Sequence, residues 1–254
     1  MRIIDAHTHR PGSLLGAPPR PIGELRREFE QDGLSGAWIA TTDGLIRDTN
    51  RHNDLLAEDL RDHLDFFVPF CTVDPHQGAE AAIRELERCR KELGMRGLKL
   101  HSWLQAFSIS NPAVVPILRR AGELRMPVLF HDGTPPYSTP LQVAAAAEQA
   151  PETTVILGHA GLDDLYRDAI LACLRHPSIY LCLCSVSSGY IQEIIGRCPA
   201  DRLLFGSDGG FGPGLVPSAA DKILAVCEDQ ATLNRIFHEN AEAILPVANR
   251  RSAW

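Results

Sequence analysis

The chain has 254 residues, a length that suits one eight-fold (β/α) barrel. Its 25 basic and 32 acidic residues leave a formal charge of −7, so it carries no electrostatic footprint for nucleic acid. With 44% hydrophobic and 22% charged residues the composition excludes a disordered chain, and no apolar run approaches the roughly 20 residues that span a bilayer.

Read in chain order, short Val/Ile/Leu/Phe-rich runs fall at 2–9, 36–42, 66–73, 97–101, 127–131, 154–158, 179–185 and 202–208. Each is followed by a stretch with helical spacing, at 22–31, 48–62, 78–93, 111–125, 139–149, 163–175, 188–197 and 218–228. Such alternation predicts a parallel sheet covered by helices, and eight units predict an α/β (β/α)8 TIM barrel over a single domain, 1–254. An open doubly wound sheet is the alternative, but no Gly-x-Gly-x-x-Gly follows the first strand. Asp48, Asn111, Thr139 and Ser218 are expected to cap their helices. A last helical piece, 230–245, is expected to close the barrel floor or flank.

The N-terminus enters a strand at once, without the apolar core of a signal peptide. Seven cysteines, an odd set with no Cys-x-x-Cys, argue for a reducing compartment, so a cytoplasmic location is expected. Cys182 and Cys184 share one face of an apolar strand and are read as small packing residues rather than metal ligands.

The ten histidines separate by position. In such barrels chemistry collects where strands end, at one mouth. His7 and His9 end the first strand, Lys99 and His101 the fourth, His131 with Asp132 the fifth; His159 follows the sixth and Asp208 the eighth. Residues i and i+2 of a strand share a face, so His7 and His9 can reach one ion, and Lys99 and His101 also point together. Converging imidazoles and a carboxylate suit a divalent ion, Zn2+ first, with Mn2+ or Fe2+ as alternatives. His52, His63, His176 and His238 lie on helices or their ends and are read as solvated; His76 is read as a loop residue.

The pieces IDAHTH (4–9), FVPFCTVDPH (67–76), GLKLH (97–101), VLFHDG (128–133), VILGHAG (155–161), LLFGSDGG (203–210) and ENAEAIL (239–245) occur in this order along the whole chain. Together they resemble the amidohydrolase superfamily, in the amidohydrolase-related branch of amino-carboxymuconate-semialdehyde decarboxylase-like metal-dependent hydrolases. The resemblance implies a metal-dependent barrel enzyme. By position it implies metal ligands His7, His9, His131 and Asp208, with His159 and Asp208 as catalytic acid/base groups. It also makes a homodimer an expectation.

A bound divalent ion lowers the pKa of water from about 15.7 toward about 7. Hydrolysis of a C–N or C–O bond in a small, carboxylate-bearing substrate is therefore the expected reaction. A decarboxylase or hydratase-type lyase is the alternative, and a metal-binding barrel without turnover is the non-enzyme reading. The resemblance implies that relatives which decarboxylate are typically longer, with inserts that supply substrate-binding arginines, for which this chain has little room. Lys99 has three readings: a salt-bridged barrel lysine, a cation for a substrate carboxylate, or a carboxylated bridge between two ions. With His101 and His159 it defines a possible second metal position, so one or two ions are expected. Arg10 and Trp103, with Lys99 and His101, are the candidate substrate contacts, and loops 10–21 and 209–214 border the mouth.

Overall fold

The computed structural model describes residues 1–13 and 20–247. Strands and helices alternate as β1 (Ile4–Arg10), α1 (Ile22–Gln31), β2 (Gly36–Thr41), α2 (Thr49–Leu60), β3 (Phe67–Cys71), α3 (Ala79–Lys91), β4 (Gly97–Leu100) and α4 (Val114–Glu123). The second half continues as β5 (Val128–Phe130), α5 (Pro140–Glu148), β6 (Val155–Leu157), α6 (Leu162–Arg175), β7 (Ile179–Cys182), α7 (Ser188–Arg197), β8 (Leu203–Leu204) and α8 (Leu215–Leu224). The strands hydrogen-bond in sequence order, and each neighbouring pair is parallel. Closure between β8 and β1 comes from Ala6 N donating to Phe205 O, Asp208 N to His7 O and His9 N to Gly209 O. The eight-fold barrel expected from the sequence is therefore the observed fold.

Strand residues are buried on both faces, as a helix-covered parallel sheet requires. Alternate residues divide between two cores. Ile4, Ala6, Trp38, Ala40, Val68, Phe70, Leu129, Ile156, Cys182 and Leu204 fill the barrel interior. Their neighbours Ala37, Ile39, Phe67, Leu98, Leu100, Val128 and Phe130 meet the helices. The helices answer with one apolar stripe each, such as Ile22, Leu25 and Phe29 on α1 and Val114, Ile117, Leu118 and Ala121 on α4.

The chain beyond α8 forms α9 (Gln230–Asn234), a π turn at Arg235–Glu239, and α10 (Asn240–Ile244). Asn240 Nδ2 donates to Ala200 O and Leu203 O, and Ala241 and Leu245 join the interior core, so this piece closes the end of the barrel opposite the mouth.

Capping was read correctly in one case out of four. Thr139 accepts from Gln142 N in a reciprocal capping box. Asn111 instead accepts from Ala113 N, ahead of α4. Asp48 stands before α2 with φ of 45° and no side-chain cap. Ser218 lies inside α8, because Gly214, at φ 79°, starts that helix earlier. His52, His63, His176 and His238, read as solvated, are half-buried where their helices pack. No helix among the described residues is long and apolar enough to cross a membrane.

Candidate metal centre

Ile4 and Ala6 face the barrel interior, so an uninterrupted strand would turn His7 and His9 outward. The β1–β2 register slips between Asp5 and Thr8, and this bulge reverses the alternation. Asp5 pins it from the β8 side: its carboxylate accepts from His7 N, Ser207 N and Ser207 Oγ. Both histidines then face inward, buried at the mouth.

His7 Nδ1 donates to Gly158 O at 2.9 Å, which leaves Nε2 as the free lone pair. Lys99 Nζ, fully buried, stands 2.7 Å from that Nε2. Asp208 Oδ1 lies 3.0 Å from His9 Nε2 and 3.5 Å from His7 Nε2. One donor atom from each of His7, His9 and Asp208 lies within 4.8 Å of the other two. His131 stands outside that trio. Its ring stacks on His101 at 3.8 Å, and its Nδ1 faces His159 Nε2 at 2.8 Å.

His159 follows β6 with the wrong parity for an inward residue. A tight turn brings it in, with positive φ at Ala160, Gly161 and Leu162. Asp132 holds the turn by accepting from His159 N and Gly161 N, each at 2.7 Å.

Burial dominates the electrostatics. It pushes His159 down to about 4 and His101 to about 2, and also lowers His7, His9 and His131, so the imidazoles are neutral donors. Burial lowers Lys99 to about 8, partly offset by Asp208. Burial alone would lift the Asp208 carboxyl; His7 and the hydrogen bond to His9 outweigh it and hold the group well below the usual carboxylate range. The cluster fits a cation. Beside an ionised carboxylate it holds several neutral imidazoles, and His9 Nδ1 and His159 Nδ1 are buried without a hydrogen-bond partner among the described residues.

Above the cluster opens a cleft of about 330 Å³ lined by His9, Thr42, Leu45, His101, Trp103, Leu104, His131, Asp208 and Phe211. His101 and Trp103 thus stand where a substrate contact would be. Lys99 lies beneath the cleft, with no carboxylate in ion-pair contact with its ammonium among the described residues, and Arg10 is committed to an ion pair with Asp59 on α2. His76 keeps its loop role, hydrogen-bonded through Nε2 to Gln105 O. Of the two bordering loops, 209–214 contributes Phe211, whose ring lies 4.9 Å from His9; positions 14–19 of the other lie outside the described residues.

Sequence reasoning did not single out Thr42, Leu45, Leu104 or Phe211, because apolar loop residues carry no chemical signature. Asp132 was visible beside His131 but had no role until the turn it holds was seen.

Eight βα units with this polar cluster at their C-terminal mouth define a metallo-dependent (β/α)8 barrel. Residues 4–247 match the amidohydrolase family, and the chain belongs to it. A 2-amino-3-carboxymuconate-6-semialdehyde decarboxylase of Dictyostelium discoideum is 29% identical over 123 residues, which are 45% of this chain and 33% of that protein. Among solved structures, 2,6-dihydroxybenzoate decarboxylase from Rhizobium superposes with a TM-score of 0.70 at 19% identity, over 96% of this chain and 97% of that one. A dihydroxybenzoic acid decarboxylase from a Polaromonas species, with bound manganese and the inhibitor 2-nitroresorcinol, gives 0.69 at 20%, over 96% of each chain. At these identities the structural likeness shows the shared fold.

Proposed function

We infer that this chain is a metal-dependent decarboxylase of a small, flat carboxylate, the lyase alternative rather than the hydrolase first expected. The observation that carries the reading is the cleft. Its lining divides between the polar His9, Thr42, His101, His131 and Asp208 and the apolar Leu45, Trp103, Leu104 and Phe211. A ring with polar substituents on one edge matches that division. The decarboxylases among the relatives support the choice.

His7, His9 and Asp208 would hold the ion, with His131 beside them. When bound, it would supply a positive charge for substrate oxygens and draw electron density from the carbon that loses carbon dioxide. Trp103 and Phe211 flank the ring and exclude water from it. His101 and His131, stacked and neutral, present the cleft with imidazole edges and no repelling cation. His159 is buried and does not line the cleft; it acts as a positioning residue through its contact with His131 Nδ1. The overall change is R–CO2⁻ + H⁺ → R–H + CO2. Among the described residues Asp208, with 29% of its side chain exposed, is the only carboxylate lining the cleft, and the replacing proton reaches carbon through it.

The test is a panel of hydroxybenzoates and other planar carboxylates with manganese-loaded protein in 18O-water. The expected result is carbon dioxide release with no 18O in the organic product. Product carrying one solvent oxygen, without carbon dioxide, would reinstate hydrolysis.

A further inference from the structure

Below the cleft another donor approaches the same imidazole. His7, His159 and Cys184 are all buried, and one donor atom of each lies within 4.8 Å of the other two. His7 offers Nε2, since Nδ1 is bonded to Gly158 O; Lys99 Nζ, 2.7 Å from that Nε2, has to move aside for an ion in either seat. His159 offers Nδ1, which has no hydrogen-bond partner among the described residues, whereas Nε2 faces His131. Cys184 Sγ has the Ser185 hydroxyl at 3.4 Å. None of these three residues lines the cleft.

This trio differs in chemistry from His7, His9 and Asp208. Two nitrogens and a carboxylate oxygen accept hard and borderline ions such as manganese, whereas two nitrogens and a thiolate select thiophilic ions. The trios also share His7 Nε2, and one lone pair serves one ion. We propose that the barrel offers two mutually exclusive seats for a single divalent ion: an outer seat at the cleft floor, and an inner His7–His159–Cys184 seat that captures thiophilic ions such as cadmium or zinc.

Filling the inner seat releases one proton, Cys–SH + M²⁺ → Cys–S⁻–M²⁺ + H⁺, which passes to solvent. The inner seat withdraws His7 from the outer one, so the ion's identity decides whether the cleft is charged. In this reading one ion occupies either of two places, an alternative to the two-ion site expected from the sequence. This inference rests on the reading that His7, His9 and Asp208 hold an ion.

The test titrates metal-free wild type, Cys184→Ser and Cys182→Ser with manganese and cadmium alone and in competition. Ultraviolet absorption reads thiolate-to-cadmium charge transfer, and electron paramagnetic resonance reads free and bound manganese. Wild type and C182S are expected to bind one cadmium with the charge-transfer band, and cadmium expels manganese. C184S loses the band and about tenfold or more in cadmium affinity while binding manganese as wild type does. If Cys184→Ser does not fold, Cys184→Ala serves in its place. Absence of the band in wild type, unchanged cadmium affinity in the variant, or manganese and cadmium bound together would overturn the inner seat. Failure of manganese to bind wild type would instead overturn the outer seat and the decarboxylase reading above it.

Discussion

Asp132→Asn tests how His159 is held in place. The native carboxylate accepts two backbone N–H groups at 2.7 Å, and it is fully buried. Asparagine keeps one acceptor oxygen, so one donor is left buried and unbonded, at about 1–3 kcal/mol. An opposing effect comes from the charge. Burial lifts the Asp132 carboxyl from 3.8 to about 6 despite those bonds, and about two units weigh roughly 3 kcal/mol against the ionised form. At pH 7 the two effects nearly cancel, so the discriminating quantity is the pH slope. A carboxyl with a raised folded-state pKa keeps its proton in the folded chain between 3.8 and about 6, where the unfolded chain has lost it. Wild-type stability from this group is therefore present at low pH and lost as pH rises through that window. Urea unfolding of both proteins in chelator, in steps from about pH 4 to about pH 7, gives a difference from which the other titrating groups cancel. The wild-type advantage should shrink by roughly 2–3 kcal/mol across the window. A difference constant within about 0.5 kcal/mol would refute a buried, titrating Asp132.

The imidazoles impose the opposite slope on the metal-free protein. His159 is held down from 6.5 to about 4 by burial; between those values only the unfolded chain takes up the proton, so stability falls as pH drops. The loss from this group is roughly 3 kcal/mol, and a urea midpoint that does not fall between neutral pH and the acid edge would count against the neutral cluster. Gly210→Ala places a methyl 2.1 Å from His9 O at φ 112°. Overpacking and backbone strain together predict a loss of about 2–5 kcal/mol, and an unchanged urea midpoint would contradict the close approach of this loop to β1. Trp103 and Phe211 are 55% and 41% exposed, so Trp103→Ala and Phe211→Ala should leave stability within about 0.5 kcal/mol. The same variants should raise KM about tenfold, or 1.4 kcal/mol of lost binding, for a planar carboxylate; an unchanged KM would remove them from the cleft's function.

Period-2 alternation is a local property of an extended chain, and several positions could be placed from it alone. Lys99 with His101, Cys182 with Cys184, and Asp208 with Leu204 two pairs back share the inward face that the structure shows. Eight apolar runs with amphipathic partners likewise determined the barrel, because each unit must bury its faces against the next. Two site histidines obey no such rule. His7 and His9 are out of phase with Ile4 and Ala6 until the β1 bulge shifts them, and the bulge depends on pairing with β2 and on Ser207, 202 residues from Asp5. His159 is out of phase with Ile156 until Asp132 folds the turn after β6.

Sequence alone thus determined the fold, the mouth and the kinds of donor gathered there. Only the tertiary structure decided which donors meet. His7 Nε2 faces both Asp208 and Lys99, His131 leans on His101 and His159, and the thiol of Cys184, read from sequence as packing, lies within reach of His7 and His159. The reason is physical: side-chain direction along one strand follows from backbone geometry, whereas distances between strands follow from barrel closure, which no single segment encodes.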